Sequence, residues 1–275
     1  MDRYCVLGNP VEHSKSPWIH ARFAALTGQD MTYGKKLIAL DGFAAAIAAL
    51  QAEGVKGCNI TVPFKFQAAP LASRLSARAH LAQACNVLTF DANGMAADNT
   101  DGIGLVHDIT GNANTPIVGR EVLLMGAGGA AAGVLGPVME CGPRRVVVAN
   151  RSVDKARVLV ARHADLAARL GVSLEACALD AVPGVFDIVI NGTASSLAGT
   201  GVPVSAGVLR SGALAVDMMY GPAARGFLDW ASTHGAKPRD GLGMLVEQAA
   251  EAFAIWRGVR PPSGQVLEEL RRSLG

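Results

Sequence analysis

An excess of charge is missing from this chain: 25 Lys and Arg stand against 23 Asp and Glu, a formal net charge of +2. So even a balance gives no electrostatic footprint for a nucleic acid and no like-charged tail. Cysteine is scarce, and Cys5, Cys58, Cys85, Cys141 and Cys177 are widely spaced, odd in number and never arranged as C-x-x-C. That excludes a zinc ribbon and a disulfide framework and fits a reducing cytoplasm. None of the six histidines shares a ligand spacing with acids, so no metal is expected. No apolar stretch reaches the length of a membrane span; Phe43 to Leu50 is short and Ala-rich. The N-terminus runs from Asp2 and Arg3 directly into the strand-like Tyr4 to Leu7, unlike a signal peptide. A soluble cytoplasmic protein is expected, with no membrane or nucleic-acid partner.

What the chain has is apolar sequence, 50% hydrophobic and only 17% charged over 275 residues. That length accommodates two domains, and the composition suits α/β sheets buried on both faces. The organising stretch is Glu121 to Met139, EVLLMGAGGAAAGVLGPVM. An apolar run, Val122 to Met125, meets Gly126, Ala127, Gly128, Gly129 and Ala130 and then a small-residue helix pattern, with Ala131 in the third small position of G-x-G-x-x-A. A strand, tight turn and helix of this kind bring free backbone N–H groups to a helix N-terminus, where a pyrophosphate can approach closely. The alternative is an ordinary buried turn, but the flanking strand and helix favour a dinucleotide site.

A second apolar strand, Val146 to Ala149, follows about 20 residues beyond the turn. No Asp or Glu stands at its end; Asn150, Arg151, Ser152 and Lys155 stand there instead. An acid at this place would accept hydrogen bonds from a free ribose 2′-OH, whereas cations and hydroxyls suit a 2′-phosphate, so the expected cofactor is NADP. The plainer reading makes Arg151 and Lys155 solvated charges opening a surface helix.

Strand and helix patterns alternate along the first hundred residues, implying a largely parallel α/β domain. The loop at Val11 to Pro17 leads to a helix with Ser16 as N-cap and Pro17 first in the helix. Ser14 and Ser16 are either parts of a capped helix or hydroxyls aimed at a carboxylate. Asp41 is expected to cap a helix carrying Phe43, Ile47 and Leu50, closed by Gly54. Thr61 to Lys65 follows a strand at Lys56 to Thr61, and Asp98 to Gly102 follows a strand pair at Cys85 to Phe90 and Met95 to Ala97. Such strand ends are where α/β proteins bind ligands. By position alone Lys65 is equally a surface lysine and Asp101 a helix cap. Asn191 to Ser196 and Met219 to Pro222 end two later strands, and Asp240 to Met244 opens a long helix with Leu245, Ala249, Ala252 and Trp256 on one face and Gln248 on the neighbouring one.

Together Gly8-Asn9-Pro10, His13 to Pro17, Asn59 to Lys65, Asn99 to Gly102, the GAGGA at 126 to 130 and Asp240 to Leu245 resemble the shikimate dehydrogenase family, in order along essentially the whole chain. The resemblance implies NADP-dependent, reversible reduction of 3-dehydroshikimate to shikimate on the route to chorismate and the aromatic amino acids. It implies two α/β domains flanking a deep cleft: residues 1–104 with 240–275 for substrate and catalysis, and a Rossmann-type, doubly wound NADP-binding domain at 105–239. By matching position, Ser14 and Ser16 would hold the carboxylate, and Thr61, Lys65, Asn86, Asp101 and Gln248 would surround the ring hydroxyls, with Tyr220 added from the nucleotide domain. Gly126 to Ala130 would take the pyrophosphate, Asn150, Arg151, Ser152 and Lys155 the adenosine side, and Met218 and Gly241 the nicotinamide end.

Three places depart from the family pattern. Leu75-Ser76-Ala77-Arg78-Ala79 stands for the common Leu-Thr-Glu-Arg-Ala, Val87 replaces Thr after Asn86, and Asn191-Gly192-Thr193-Ala194 replaces an Asn-Ala-Thr-Ser type of run. In the implied chemistry the cofactor supplies the hydride, and the protein orients two rings and moves one proton. Reducing a ketone builds charge on its oxygen, which an ammonium can stabilise and protonate, so Lys65 is the expected acid/base with Asp101 directing it. His13 is read as shaping the Ser14 loop. A quinate or dual quinate/shikimate enzyme would keep this fold and pair; a non-catalytic NADP-binding regulator would have lost Lys65 and Asp101. The partner is a small molecule, and the chain a monomer or homodimer.

Overall fold

The computed structural model describes residues 1–193 and 201–274. The chain divides into two units, Met1–Gly104 with Leu245–Gly275, and Leu105–Met244. In the first, β1 (Asp2–Gly8), β2 (Met31–Leu37), β3 (Gly57–Ile60), β4 (Arg74–Leu75), β5 (Val87–Asp91) and β6 (Gly94–Asp98) form one sheet in the order β2-β1-β3-β5-β6-β4. The helices between them are α1 (Ser16–Thr27), α2 (Phe43–Ala52), α3 (Lys65–Ala68) and α4 (Ala77–Ala82), with α5 (Asp101–His107) after β6.

This sheet is mixed, not largely parallel. β1 runs parallel to β2 and β3, but β5 is antiparallel to both β3 and β6. The β5–β6 pairing has a local reason: the two strands are joined by a tight turn, and only antiparallel neighbours can be joined so briefly. Leu7, Ile47, Cys58, Phe64 and Leu88 fill its core at 3% exposure or less, each buried aliphatic or aromatic side chain contributing about 1.5–3 kcal/mol.

Two helix starts differ from expectation. α1 begins at Ser16, its N-cap is Lys15, and the Ser16 N–H is met by the Ser14 Oγ at 3.3 Å. Pro17 inside the first turn has no N–H to offer a cap, so the acceptor comes from the loop before it. α2 has Gly42 as N-cap with no side-chain bond, because a turn closed by Gly42 N–H to the Ala39 carbonyl, 3.0 Å, precedes it; Asp41 is exposed.

The second unit holds β7 (Glu121–Met125), α6 (Gly129–Glu140), β8 (Arg145–Asn150), α7 (Val153–Leu170), β9 (Ser173–Ala178), β10 (Phe186–Asn191), β11 (Leu209–Asp217), α8 (Arg225–Thr233) and β12 (Lys237–Arg239). Its strands are all parallel in the order β12-β11-β10-β7-β8-β9. That is the doubly wound Rossmann order, and β7 and β10 meet where it reverses. Val122, Leu123, Val146, Val147, Val148, Ile188 and Val189 are all wholly buried, as strands covered on both faces must be. α9 (Leu242–Arg257) begins in this unit and continues in the first, followed there by α10 (Ser263–Leu274).

Candidate active site

In the first unit the segment after β3 is held firmly around Lys65. Phe64, wholly buried, stacks on Phe43 with centroids 4.8 Å apart, and the Lys65 carbonyl accepts from Cys85 N–H at 3.0 Å. The lysine backbone is therefore held on both sides, and its Nζ donates to Asp101 Oδ2 at 2.5 Å, with side-chain exposures of 13% and 5%. An ammonium has three N–H donors; this pair uses one and leaves two for a ligand oxygen.

Asp101 is oriented by buried amides. Asn99 Oδ1 accepts from the Asp101 N–H at 3.1 Å in an Asx turn, while its amide donates to the Ala84 carbonyl at 2.9 Å. Asn86, at 2% exposure, directs its Nδ2 to Asp101 Oδ1 (2.9 Å), Thr100 Oγ1 (3.0 Å) and Gln248 Oε1 (3.0 Å), and its Oδ1 accepts from Thr100 N–H at 2.8 Å. Both oxygens of the Asp101 carboxylate thus have donors, one of them a cation. Cys85, beneath, is an inert thiol that burial pushes up to about 12.

Thr61 enters this site because Gly8 has no side chain: a Cβ there would lie 2.4 Å from the Thr61 methyl. Ser16 is 6% exposed, at the start of α1, with Ser14 half-buried before it and His13 exposed. Sequence reasoning missed the support beneath them. The Tyr33 hydroxyl donates to Asn59 Oδ1 at 2.6 Å, and Asn59 Nδ2 donates to the Asn86 carbonyl at 3.0 Å. The available signal was Asn59 itself, a polar residue inside a fully buried strand. His20 is wholly buried and stacks on Tyr33 at 4.1 Å, and burial pulls its pKa down to about 3.

In the second unit the glycine turn lies at the carboxyl end of β7. Gly126 has φ +111°, and a Cβ there would sit 2.7 Å from the Gly192 carbonyl oxygen at the end of β10. Gly128 caps α6 in extended conformation, and the first helical bond runs from Ala132 N–H to its carbonyl. The N–H groups of Gly129, Ala130 and Ala131 therefore precede any intrahelical partner and are available to an anion. Ala127 is half-buried beside them. Asn150, ending β8, donates to the Ser152 carbonyl at 2.9 Å. Arg151, Ser152 and Lys155 are exposed, and neither cation pairs with a described acid; the nearby Asp154 is held by Arg157 at 2.9 Å.

Met218 and Gly241 also adjoin: a Cβ on Gly241 would be 2.3 Å from the Met218 carbonyl oxygen, and its N–H donates to the Met219 carbonyl at 2.8 Å. Wholly buried Asp217 fixes this end of β11, accepting from Asn191 Nδ2 at 3.0 Å and Met219 N–H at 2.8 Å. Nothing in the local pattern marked Asp217 beyond its place after an apolar run. Tyr220, half-buried, follows in this unit, apart in the chain from the other expected substrate residues. Ala194, Ser195 and Ser196 lie outside the described residues. Among the described residues no cluster of His, Cys, Asp and Glu could hold a metal, and no helix is long and apolar enough to cross a membrane.

Three family models match: the shikimate dehydrogenase substrate binding domain over residues 6–88, shikimate / quinate 5-dehydrogenase over 109–200, and the shikimate 5'-dehydrogenase C-terminal domain over 241–271. The chain is 64% identical to the shikimate dehydrogenase (NADP(+)) of Methylibium petroleiphilum, covering 98% of this chain and 94% of that protein. Among solved structures it is similar to an Ael1 enzyme from Pseudomonas putida, at 44% identity and TM-score 0.87 with 98% of each chain covered. It is also similar to shikimate 5-dehydrogenase from Thermus thermophilus in complex with NADP(H) and shikimate, at 28% identity and TM-score 0.84 with 100% of each covered.

Proposed function

Because the chain belongs to the shikimate dehydrogenase family, we propose that it is the NADP-dependent oxidoreductase that interconverts 3-dehydroshikimate and shikimate on the cytoplasmic route to chorismate and the aromatic amino acids. The observation that carries this reading is the Lys65–Asp101 pair, 2.5 Å apart and buried beside Asn86 and Gln248. Bound NADPH supplies the hydride. Lys65 stabilises the negative charge growing on the ketone oxygen and gives it a proton, and takes the proton back in the oxidative direction. Asp101 holds that ammonium in direction and accepts from a ring hydroxyl.

Ser14 and Ser16 take the substrate carboxylate; Thr61, Asn86 and Gln248 take ring hydroxyls, and Tyr220 adds a contact. Residues 1–104 and 240–275 serve substrate and catalysis, and 105–239 serve the nucleotide. The turn from Gly126 to Ala130 fits a pyrophosphate because its N–H groups are available and Gly126 has no Cβ. Met218 and Gly241 border the nicotinamide. Arg151 and Lys155, with Asn150 and Ser152, receive the 2′-phosphate, since no described acid pairs with either cation. That preference favours the biosynthetic enzyme over a quinate dehydrogenase.

Lys65→Ala tests the reading. Turnover of shikimate should fall by about 10²–10⁴-fold, the usual worth of a positioned acid/base, while NADP affinity from fluorescence titration stays within about twofold. Equal loss of both, or turnover kept, would count against Lys65 as the acid/base.

A further inference from the structure

Arg78 follows Ala77 in the first turn of α4. Its guanidinium turns to two carboxylates from distant parts of the chain. It forks onto Asp98 through Nε at 2.7 Å and Nη2 at 2.9 Å, and Nη2 also reaches Glu251 Oε1 at 3.2 Å. Asp98 ends β6, three residues before Asp101, and Glu251 lies on α9 less than one turn after Gln248. Arg78, Asp98 and Glu251 have side-chain exposures of 25%, 18% and 21%, so solvent screens them only partly.

The Asp98 carboxylate is the root of the turn that carries Asp101. Besides Arg78 it accepts from Ser76 Oγ at 2.5 Å and from Asn99 N–H at 2.7 Å, and Asn99 in turn bonds the Asp101 N–H. On the α9 side, Arg260 donates to the other Glu251 oxygen at 2.8 Å, and Gln248 meets Asn86 one step from the lysine pair. Removing the guanidinium would leave two carboxylates facing each other, one on the turn bearing Asp101 and one on the helix bearing Gln248. Their repulsion would separate the groups that Asn86 now joins.

We propose that Arg78 is a positioning residue for the reaction: by bridging Asp98 and Glu251 it sets the spacing between Asp101 and Gln248. The proposal rests on the function proposed above. Arg78→Gln should raise the KM for shikimate at least tenfold and lower kcat severalfold, with the KM for NADP within twofold of wild type. Arg78→Lys, which keeps the charge but cannot fork, should fall between the two. Glu251→Gln alone should raise the shikimate KM about threefold, and the double variant should be no worse than Arg78→Gln alone, because both changes break one bridge. If Arg78→Gln does not fold, the Lys variant and Glu251→Gln carry the test through the same KM split. Wild-type turnover of shikimate with variant constants within twofold, or NADP and shikimate KM rising together, would overturn the positioning role alone. No wild-type turnover would overturn the functional reading beneath it.

Discussion

Lys65 and Asp101 stand 36 positions apart, and no periodicity connects them; β3 and β6 bring their following turns together. Local pattern placed both at strand ends suited to ligands but left each equally a bland residue, and the resemblance decided between the two. Asp101→Asn should keep the fold, since the Asn99 and Asn86 scaffold remains, but lower kcat by about 10²-fold through loss of the charge that directs the ammonium; steady-state rates at saturating shikimate check it. Gly126 was legible as glycine and its cause was not: the φ of +111° and the Gly192 carbonyl 2.7 Å from a would-be Cβ appear only once β7 and β10 pair. His20 was not singled out, because a histidine on a helix face has no sequence mark of total burial. Its folded pKa, about 3, lies below the ordinary value of 6.5, so the unfolded chain binds more protons between those values. Its contribution to stability is complete above about pH 6.5 and is lost as pH falls, by about 2 kcal/mol at pH 5. Denaturant unfolding of His20→Phe should show that much less loss between pH 7 and pH 5 than wild type; an unchanged slope would contradict it.

Helices and strands were legible in proportion to how completely one period governs them. β7, β8 and β10 read as strands because a parallel sheet buries both faces, giving unbroken apolar runs. The stretch between Lys65 and Ala84 reads from sequence as helical throughout, but it folds as two short α-helices, a 3-10 turn and a two-residue strand, each too brief for one period to mark. The start of α1 was misplaced by one residue because the acceptor for its first N–H comes from Ser14, within the loop. The end of β8 was readable for the opposite reason: a missing acid is visible without a structure. Arg151→Ala with Lys155→Ala should raise the KM for NADP by about 10–100-fold, as expected for losing hydrogen bonds between charged groups, and leave that for NAD nearly unchanged. Parallel losses with both cofactors would remove these cations from 2′-phosphate recognition.

The first unit is assembled from both ends of the chain, which no local reading of the sequence discloses. Trp256 on α9 stacks on Tyr4 of β1 at 4.6 Å and donates to the Leu88 carbonyl at 3.2 Å, and Arg22 of α1 forks onto Glu269 of α10 at 2.6 and 2.9 Å. Gly57 permits the approach, since a Cβ there would lie 2.7 Å from the Trp256 nitrogen. These contacts also deliver Gln248 to Asn86, so the last segment is both core and site. Central to the function is that a chain with no acid at the end of β8 and a buried Lys65–Asp101 pair oxidises shikimate with NADP. Initial rates of nicotinamide reduction by the purified protein, crossing shikimate and quinate with NADP and NAD, test this most directly. Shikimate with NADP should be the preferred pair; preference for quinate or NAD, or no turnover with any pair, would contradict it.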